Sequence, residues 1–205
     1  KTSQTNIEEL AEKMVGRKVS LTTDKNEAKP GAPVLQVKGI KALDNRGLEA
    51  VKGVEFEVRS GEILGIAGVD GNGQNELVQT ITGLRKSLEG DLIVNDKNIT
   101  NKSPKEIIDC GVGYIPEDRH KRGLVLDFSI SENSILGSHR SVKFKKNLGL
   151  DYRKIREHAK NLIKLYDVRT PNEKVSAKSL SGGNQQKLII AREFDREPSL
   201  LIASQ

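Results

Sequence analysis

The sequence predicts an α/β fold built on a strand–glycine loop–helix unit. Three observations lead there. An apolar run, "EILGIAG" (residues 62–68), passes into the glycine-rich "GVDGNGQN" (68–75) and then into a helical pattern, "NELVQTITGL". Two long alternating stretches, "VLQVKGI" and "GLEAVKGVEFEV", precede it and read as paired strands. A long amphipathic stretch, "DYRKIREHAKNLIKLYDV", stands between this core and a last apolar run, "SLLIA".

The elements follow in order. "NIEELAEKMVGRKV" sets Ile7, Leu10, Ala11 and Met14 at helical spacing, with Asn6 as a cap. "TTDKNEAKPGAP" has linker composition, so residues 1–17 are expected to close a preceding domain, 18–33 to form a linker and 34–205 to form the main domain. Ser60-Gly61 makes a turn, and 62–68 is expected as a buried strand. After the glycine loop, Leu77, Val78, Ile81 and Leu84 share a face, and Gly83 ends the helix. "GDLIVNDK" is a short strand and turn; "SPKEIIDCG" starts a helix with Ser103 as cap and Pro104 at its first position. "VGYIP" is a strand stopped by Pro116. In the amphipathic stretch, Ile155, Ala159, Leu162, Ile163 and Tyr166 form the apolar face. "GGNQQKLIIAREFDRE" is a helix that stops before Pro198, and "SLLIA" is a final buried strand.

Composition narrows the function classes. The chain has 205 residues, enough for one sizeable domain and an appendage. It is 35% hydrophobic and 30% charged, which fits a soluble globular class. Only 3% is aromatic, which argues against base-stacking platforms for single-stranded nucleic acid. The single cysteine, Cys110, allows no internal disulfide and reads most simply as a reducing compartment. No apolar run approaches the roughly 18 residues of a membrane span, and no signal peptide is visible. The start without Met and the stop straight after an apolar run read as a fragment. The net charge is +6, and residues 141–165 alone hold eight Lys/Arg against two Asp/Glu. That stretch reads either as a patch for an acidic partner or as a solvated helix face.

Two strings carry chemistry. In the glycine loop, Gly68, Gly71 and Gly73 permit positive φ and close backbone approach, and successive N–H groups at a helix start suit an anion. A calcium loop is excluded, because the sixth position from Asp70 is Asn75 and the twelfth is Ile81. The frame matches G-x-x-x-x-G-K-[ST], but Gln74 stands at the Lys position and Asn75 at the Ser/Thr position. The second string is "LSGGNQQK", Leu180 to Lys187. Ser181 is suited to cap a helix beginning at Gly182, and two glycines leave its N–H groups open toward an anion.

With these strings in this order, the chain resembles the ATP-binding subunits of ABC transporters over residues 34–205. "LSGGNQQK" looks like the signature motif, "GYIPEDRHKRGL" stands at the Q-loop position and "LLIASQ" at the Walker B position. "GVDGNGQNEL", "IPEDRHKRGLVLDFSISEN" and "DVRTP" look most like the second ATP-binding half of tandem importers for nucleosides or simple sugars. The resemblance implies an α/β phosphate-loop NTPase core truncated at the Walker B strand, with an antiparallel β-subdomain and a helical insertion at about residues 118–178. It implies Mg-ATP as ligand of the intact assembly, held through Gly68, Asp70, Gly71, Asn72, Gly73, Gln74 and Asn75. It makes Leu180, Ser181, Gly182, Gly183 and Gln185 the signature. As partners it implies a first ATP-binding half or a second copy, transmembrane permease subunits and, indirectly, an extracytoplasmic substrate-binding protein, with no nucleic acid. The location implied is the cytoplasmic face of the cell membrane.

The departures bear on activity. Besides Gln74 and Asn75, the Q-loop position holds Glu117, and the Walker B Asp and adjacent general-base Glu are Ser204 and Gln205. No aromatic lies between Ile40 and Val54, where the family stacks adenine. Losing a Lys–phosphate bond costs roughly 1.5–3 kcal/mol. Asn75 can coordinate weakly through its carbonyl, but Ser204 cannot replace a carboxylate on Mg²⁺. Losing the base costs a further ~10²–10⁴ in rate. The expectation is ATP held weakly or not at all at this loop, negligible hydrolysis there, and a signature that serves a partner's ATP; the alternatives are a catalytically active ATPase half and a soluble ABC protein acting on nucleic acid or ribosomes. Arg119, Lys121 and Arg122 of "PEDRHKRG" read either as a contact to the membrane partner or as a solvated loop. His120 and His158 receive no role.

Overall fold

The computed structural model describes residues 7–15, 27–69, 71–147 and 149–204. The cap Asn6, most of the linker, Asp70 and Gln205 fall outside the described residues. Helix α1 (Ile7–Val15) forms where its spacing predicts, with Ile7, Leu10 and Met14 all exposed.

Two 11-residue strands, β1 (Pro33–Leu43) and β2 (Glu49–Arg59), pair antiparallel. Strand β3 (Glu89–Val94) pairs on the other side of β1, and β4 (Lys97–Asn98) closes a hairpin with it. The sheet order is β2-β1-β3-β4. The β3–β4 turn holds Asn95 and Asp96 at φ 47° and 62°, the left-handed pair a two-residue hairpin needs. One face of this sheet packs Leu35, Val37, Leu92 and Val94 against Leu77 and Ile81 of helix α2 (Gln74–Ile81). Gly83 sits past the helix end at φ 75° as expected, while Leu84 lies beyond the helix and is half exposed.

Helix α3 (Pro104–Asp109) starts with a full capping box: Ser103 Oγ accepts from the Glu106 N–H while Glu106 accepts from the Ser103 N–H. Strand β5 (Val112–Ile115) then pairs in parallel with the last strand, β8 (Leu200–Ala203). Between them lies the helical insertion. It comprises a π-helical turn (Arg119–Gly123), α4 (Ile130–Ser134), a small hairpin of β6 (Lys145–Lys146) and β7 (Gly149–Leu150), α5 (Tyr152–Leu165) and α6 (Gly182–Asp195). Its own core gathers Ile115, Leu124, Ile130, Val168, Leu188 and Ile189. On α5, Ile155, Ala159 and Leu162 are buried as the spacing predicts, and His158 joins them.

One expected element is missing. Residues 62–69 run in no strand, and Ile63, Leu64, Ile66 and Val69 are 94%, 41%, 54% and 75% exposed. The apolar run is right for a buried strand, but no described strand lies beside it to complete a ladder. Among the described residues, strand β8 pairs with β5 on one side only. Its other side faces 62–68 across a cavity of about 890 Å³. For the same reason β8 is less buried than expected: Leu200 is buried, Leu201 and Ile202 are partly open, and Ala203 is exposed. No described helix is long and apolar enough to cross a membrane.

Candidate functional site

The glycine loop is shaped by its backbone. Gly71 and Gly73 take φ of 85° and 95°, which L side chains rarely adopt. Gly73 is also the N-cap of α2, and a Cβ on it would lie 2.3 Å from the Ala50 carbonyl oxygen on β2. The loop is thus wedged under the antiparallel sheet, and only glycine fits there. Gln74 folds back across the loop: its Nε2 donates to the Val69 carbonyl at 3.1 Å and lies 2.1 Å from where a Cβ on Gly68 would be. The amide therefore uses loop carbonyls for its hydrogen bond and brings no charge.

The large cavity collects the departures of the sequence in one place. Gly68, Gln74, Asn75, Glu117 and Ser204 all line it, on a floor that includes Leu77, Val78, Leu201 and Ile202. Ser204 is fixed by its N–H, which donates to Ile115 O at 2.9 Å and prolongs the β5–β8 ladder. Glu117 is exposed at the cavity's rim, directly after Pro116. The backbone cradle and the N-terminus of α2 fit a phosphate group. The surroundings fit a magnesium ion poorly: Asn75 and Ser204 offer neutral oxygens, and of the two carboxylates on the cavity, Glu62 already accepts from the Arg59 N–H while Glu117 stands at the rim. Among the described residues no group of three or more His, Cys, Asp or Glu side chains is placed to hold a metal.

The second string sits elsewhere, at the start of α6. The helix begins at Gly182 with Ser181 as N-cap, but the Ser181 side chain makes no capping bond. Its Oγ instead accepts from Asn184 Nδ2 at 2.9 Å, while Asn184 Oδ1 accepts from the Arg169 N–H at 2.8 Å. The side-chain amide three residues on competes successfully for the oxygen that would have capped the helix. The first helical bond runs from the Gln185 N–H to Ser181 O, so the N–H groups of Gly182, Gly183 and Asn184 have no partner within the helix. Ser181 and Gly183 are exposed, and a Cβ on Gly183 would meet nothing within 4 Å. Leu180 is buried beneath them and packs in the insertion's core.

Gln185 is 5% exposed and points inward rather than toward an anion. Its Nε2 donates to Ala177 O at 3.1 Å, and its Oε1 accepts from Arg119 Nε at 3.2 Å and His120 Nε2 at 3.0 Å. Arg119 is therefore not part of a uniformly solvated loop. It is turned inward, while Lys121 and Arg122 stay exposed. His120, given no role from sequence, is tied into the same network. Nothing in the local sequence signals this, since the partners are 65 and 66 residues apart. Farther along α6, buried Arg192 donates to Glu193 Oε1 at 3.0 Å and to Gly123 O at 2.8 Å. Glu193 Oε2 accepts from the Tyr114 N–H at 3.2 Å and from Arg196. This knot ties α6 to β5 and to the end of the π-helical turn.

Comparison with known proteins agrees with this geometry. The ABC transporter family model matches residues 51–203. The guanosine import ATP-binding protein NupO of Bacillus subtilis is 52% identical over 98% of this chain, and the nucleoside import ATP-binding protein NupA of Lactococcus lactis is 52% identical over 97%. The glucose import ATP-binding protein TsgD13 of Haloferax volcanii is 45% identical over 100%. The chain spans 38–39% of the length of these relatives. A nucleotide-free ATP-binding cassette from an ABC transporter superposes with a TM-score of 0.69 at 23% identity, over 85% of this chain and 69% of the other. A dimeric cassette bound to ADP and Pi gives 0.66 at 23% identity, over 83% and 73%. The chain belongs to the ABC transporter ATP-binding domain family.

Proposed function

We propose that this chain is a hydrolytically weak ATP-binding half of an importer ATPase for nucleosides or simple sugars, and that it supplies its signature to ATP held by a partner half. The reading rests on one contrast. The N-terminus of α6 keeps Ser181, Gly182 and Gly183 open for a phosphate, whereas the cavity at the glycine loop is lined by Gln74, Asn75 and Ser204 in place of Lys, Ser/Thr and Asp. At its own loop, Gly71, Gly73 and the start of α2 would hold the phosphates of ATP. Bound there, ATP would bring Mg²⁺ charge and a reactive γ-phosphate, and the two described carboxylates on the cavity are Glu117 at its rim and Glu62, which is bonded to the Arg59 N–H. At the signature, N–H groups and the helix dipole would stabilise charge developing on the partner's γ-phosphate.

The named relatives support the importer class, since their names specify import of guanosine, nucleosides and glucose. In this reading the partners are a first ATP-binding half, permease subunits and, through them, a substrate-binding protein, at the cytoplasmic face of the membrane. The deciding experiment is Ser181→Arg in the full-length assembly. ATPase turnover should fall by about 10²- to 10³-fold, the range for removing one oxyanion-type donor set. Unchanged turnover would end the reading. Calorimetry of MgATP with this chain reads the other site separately.

A further inference from the structure

The Arg119–Gly123 turn and α6 touch along one face of the helix. Gly182, Gln185, Ile189 and Arg192 are spaced three, four and three residues apart and so lie in one row. Each meets the turn. The Arg119 guanidinium lies 3.0 Å from where a Cβ on Gly182 would be, and Arg119 and His120 both donate to Gln185. A Cβ on Gly123 would lie 2.5 Å from Ile189 Cδ1, and Arg192 donates to Gly123 O. The turn itself is locked by Asp118, whose carboxylate accepts from the His120 and Lys121 N–H groups. Those bonds hold its carboxyl below the usual carboxylate range, the Lys121 N–H first among the causes.

We propose that Arg119, seated on Gln185 and Gly182, is the positioning residue of the signature, so that the turn and the first turn of α6 move as one body. The proposal rests on the reading above, in which Ser181 to Gly183 face a partner's phosphate. Arg119 reaches that end of α6 from the side, through a fixed planar fork. Its Nε is spent on Gln185 while its terminal nitrogen lies against Gly182. The missing side chain at Gly182 is what admits it. Displacement of the turn is thereby carried to the three open N–H groups, with no other described side chain bridging the turn to the first turn of α6 except His120 through the same Gln185 oxygen.

The test has two arms. In this chain, hydrogen exchange is followed in wild type, Arg119→Ala, Arg119→Lys and Gln185→Leu. Arg119→Ala should speed exchange at the first bonded amides of α6, residues 185–187, by about tenfold, the size of one charge-assisted hydrogen bond. Arg119→Lys should not restore the wild-type pattern, because an ammonium cannot span both contacts. Gln185→Leu should speed exchange in 119–124 in return, while Lys121→Ala changes neither. In the full-length assembly, Arg119→Ala should lower kcat about tenfold and leave KM for ATP within about twofold, since the nucleotide is held by the other half. Exchange that rises only within 119–124, or an unchanged kcat where Ser181→Arg abolishes turnover, would overturn the proposal and leave the reading standing. If Ser181→Arg spares turnover, the reading falls, and the spread of exchange into 185–187 alone decides whether the turn and helix are one body.

Discussion

The two glycine-bearing helix starts of this chain, at α2 and α6, are built in opposite ways. The glycine loop is tight where it meets the antiparallel sheet, at Gly73 against Ala50, and loose on its approach, where 62–69 lacks a strand partner. The signature end of α6 is open at its tip and held along its length by Gln185, Ile189, Arg192 and Glu193. One site keeps a backbone shape and has altered side chains; the other keeps its side chains and has a dense support behind them. The difference teaches that the loop's shape rests chiefly on glycine conformation, which needs neither a lysine nor a carboxylate to hold it. The signature's orientation depends on a network of distant residues, which the fold must maintain.

Four measurements can break or sharpen that contrast. The largest effect belongs behind the signature. Glu193→Leu leaves Arg192 buried with no counter-charge and should cost about 3–5 kcal/mol in denaturant unfolding. A loss below about 1 kcal/mol, the size of an exposed pair, would mean that the support is weaker than the geometry implies. Next is Gln74→Lys, which restores a cation to the loop and should tighten MgATP binding by about 10- to 150-fold in calorimetry. No gain would show that the unpaired approach segment, rather than the missing charge, limits the site. Third, Gly73→Ala should destabilise by at least about 1–2 kcal/mol from positive φ alone, with the Ala50 clash added. Gly183→Ala meets open space and should leave the melting temperature unmoved; any loss of turnover it causes would then report on approach of the partner's phosphate.

The smallest effect is a pH dependence. His158 is buried against Phe144, with Lys143 Nζ at 3.1 Å from its Nδ1 and Asp195 Oδ2 at 3.4 Å from its Nε2. Burial pushes its pKa below the ordinary 6.5, with Lys143 adding to that and Asp195 opposing it. The unfolded chain therefore takes up the proton first. Stability is complete above pH 6.5 and declines as pH falls from there toward the depressed folded value. Melting curves from pH 8 to 5 should show this slope in wild type, and His158→Gln should flatten it. An equal slope in both would place the acid sensitivity elsewhere.

Much of this was legible in the sequence. Alternation in 34–58 gave the β1–β2 pair, Ser103-Pro104 gave the start of α3, and the spacing in 152–165 gave the buried face of α5. Those signals are local, and periodicity or a cap suffices to read them. Residues 62–68 misled because an apolar run records what a strand needs, not whether a neighbour is there to pair with it. The Ser181 side chain misled because Asn184 competes for the same oxygen. The bonds of Arg119 and His120 to Gln185, and of Arg192 to Gly123, join residues 65 to 69 apart, and no pattern in a single sequence encodes such pairings.

The half-paired strand β8 has a consequence for handling the protein. Its free side offers unpaired backbone groups between Leu200 and Ala203, and across the cavity Ile63, Leu64 and Ile66 present bare side chains. A strand edge beside exposed aliphatic surface is a template for adding further chains. The +6 charge opposes that only through repulsion, which added salt screens. Concentrated solutions at high ionic strength should therefore turn cloudy well before dilute, low-salt ones.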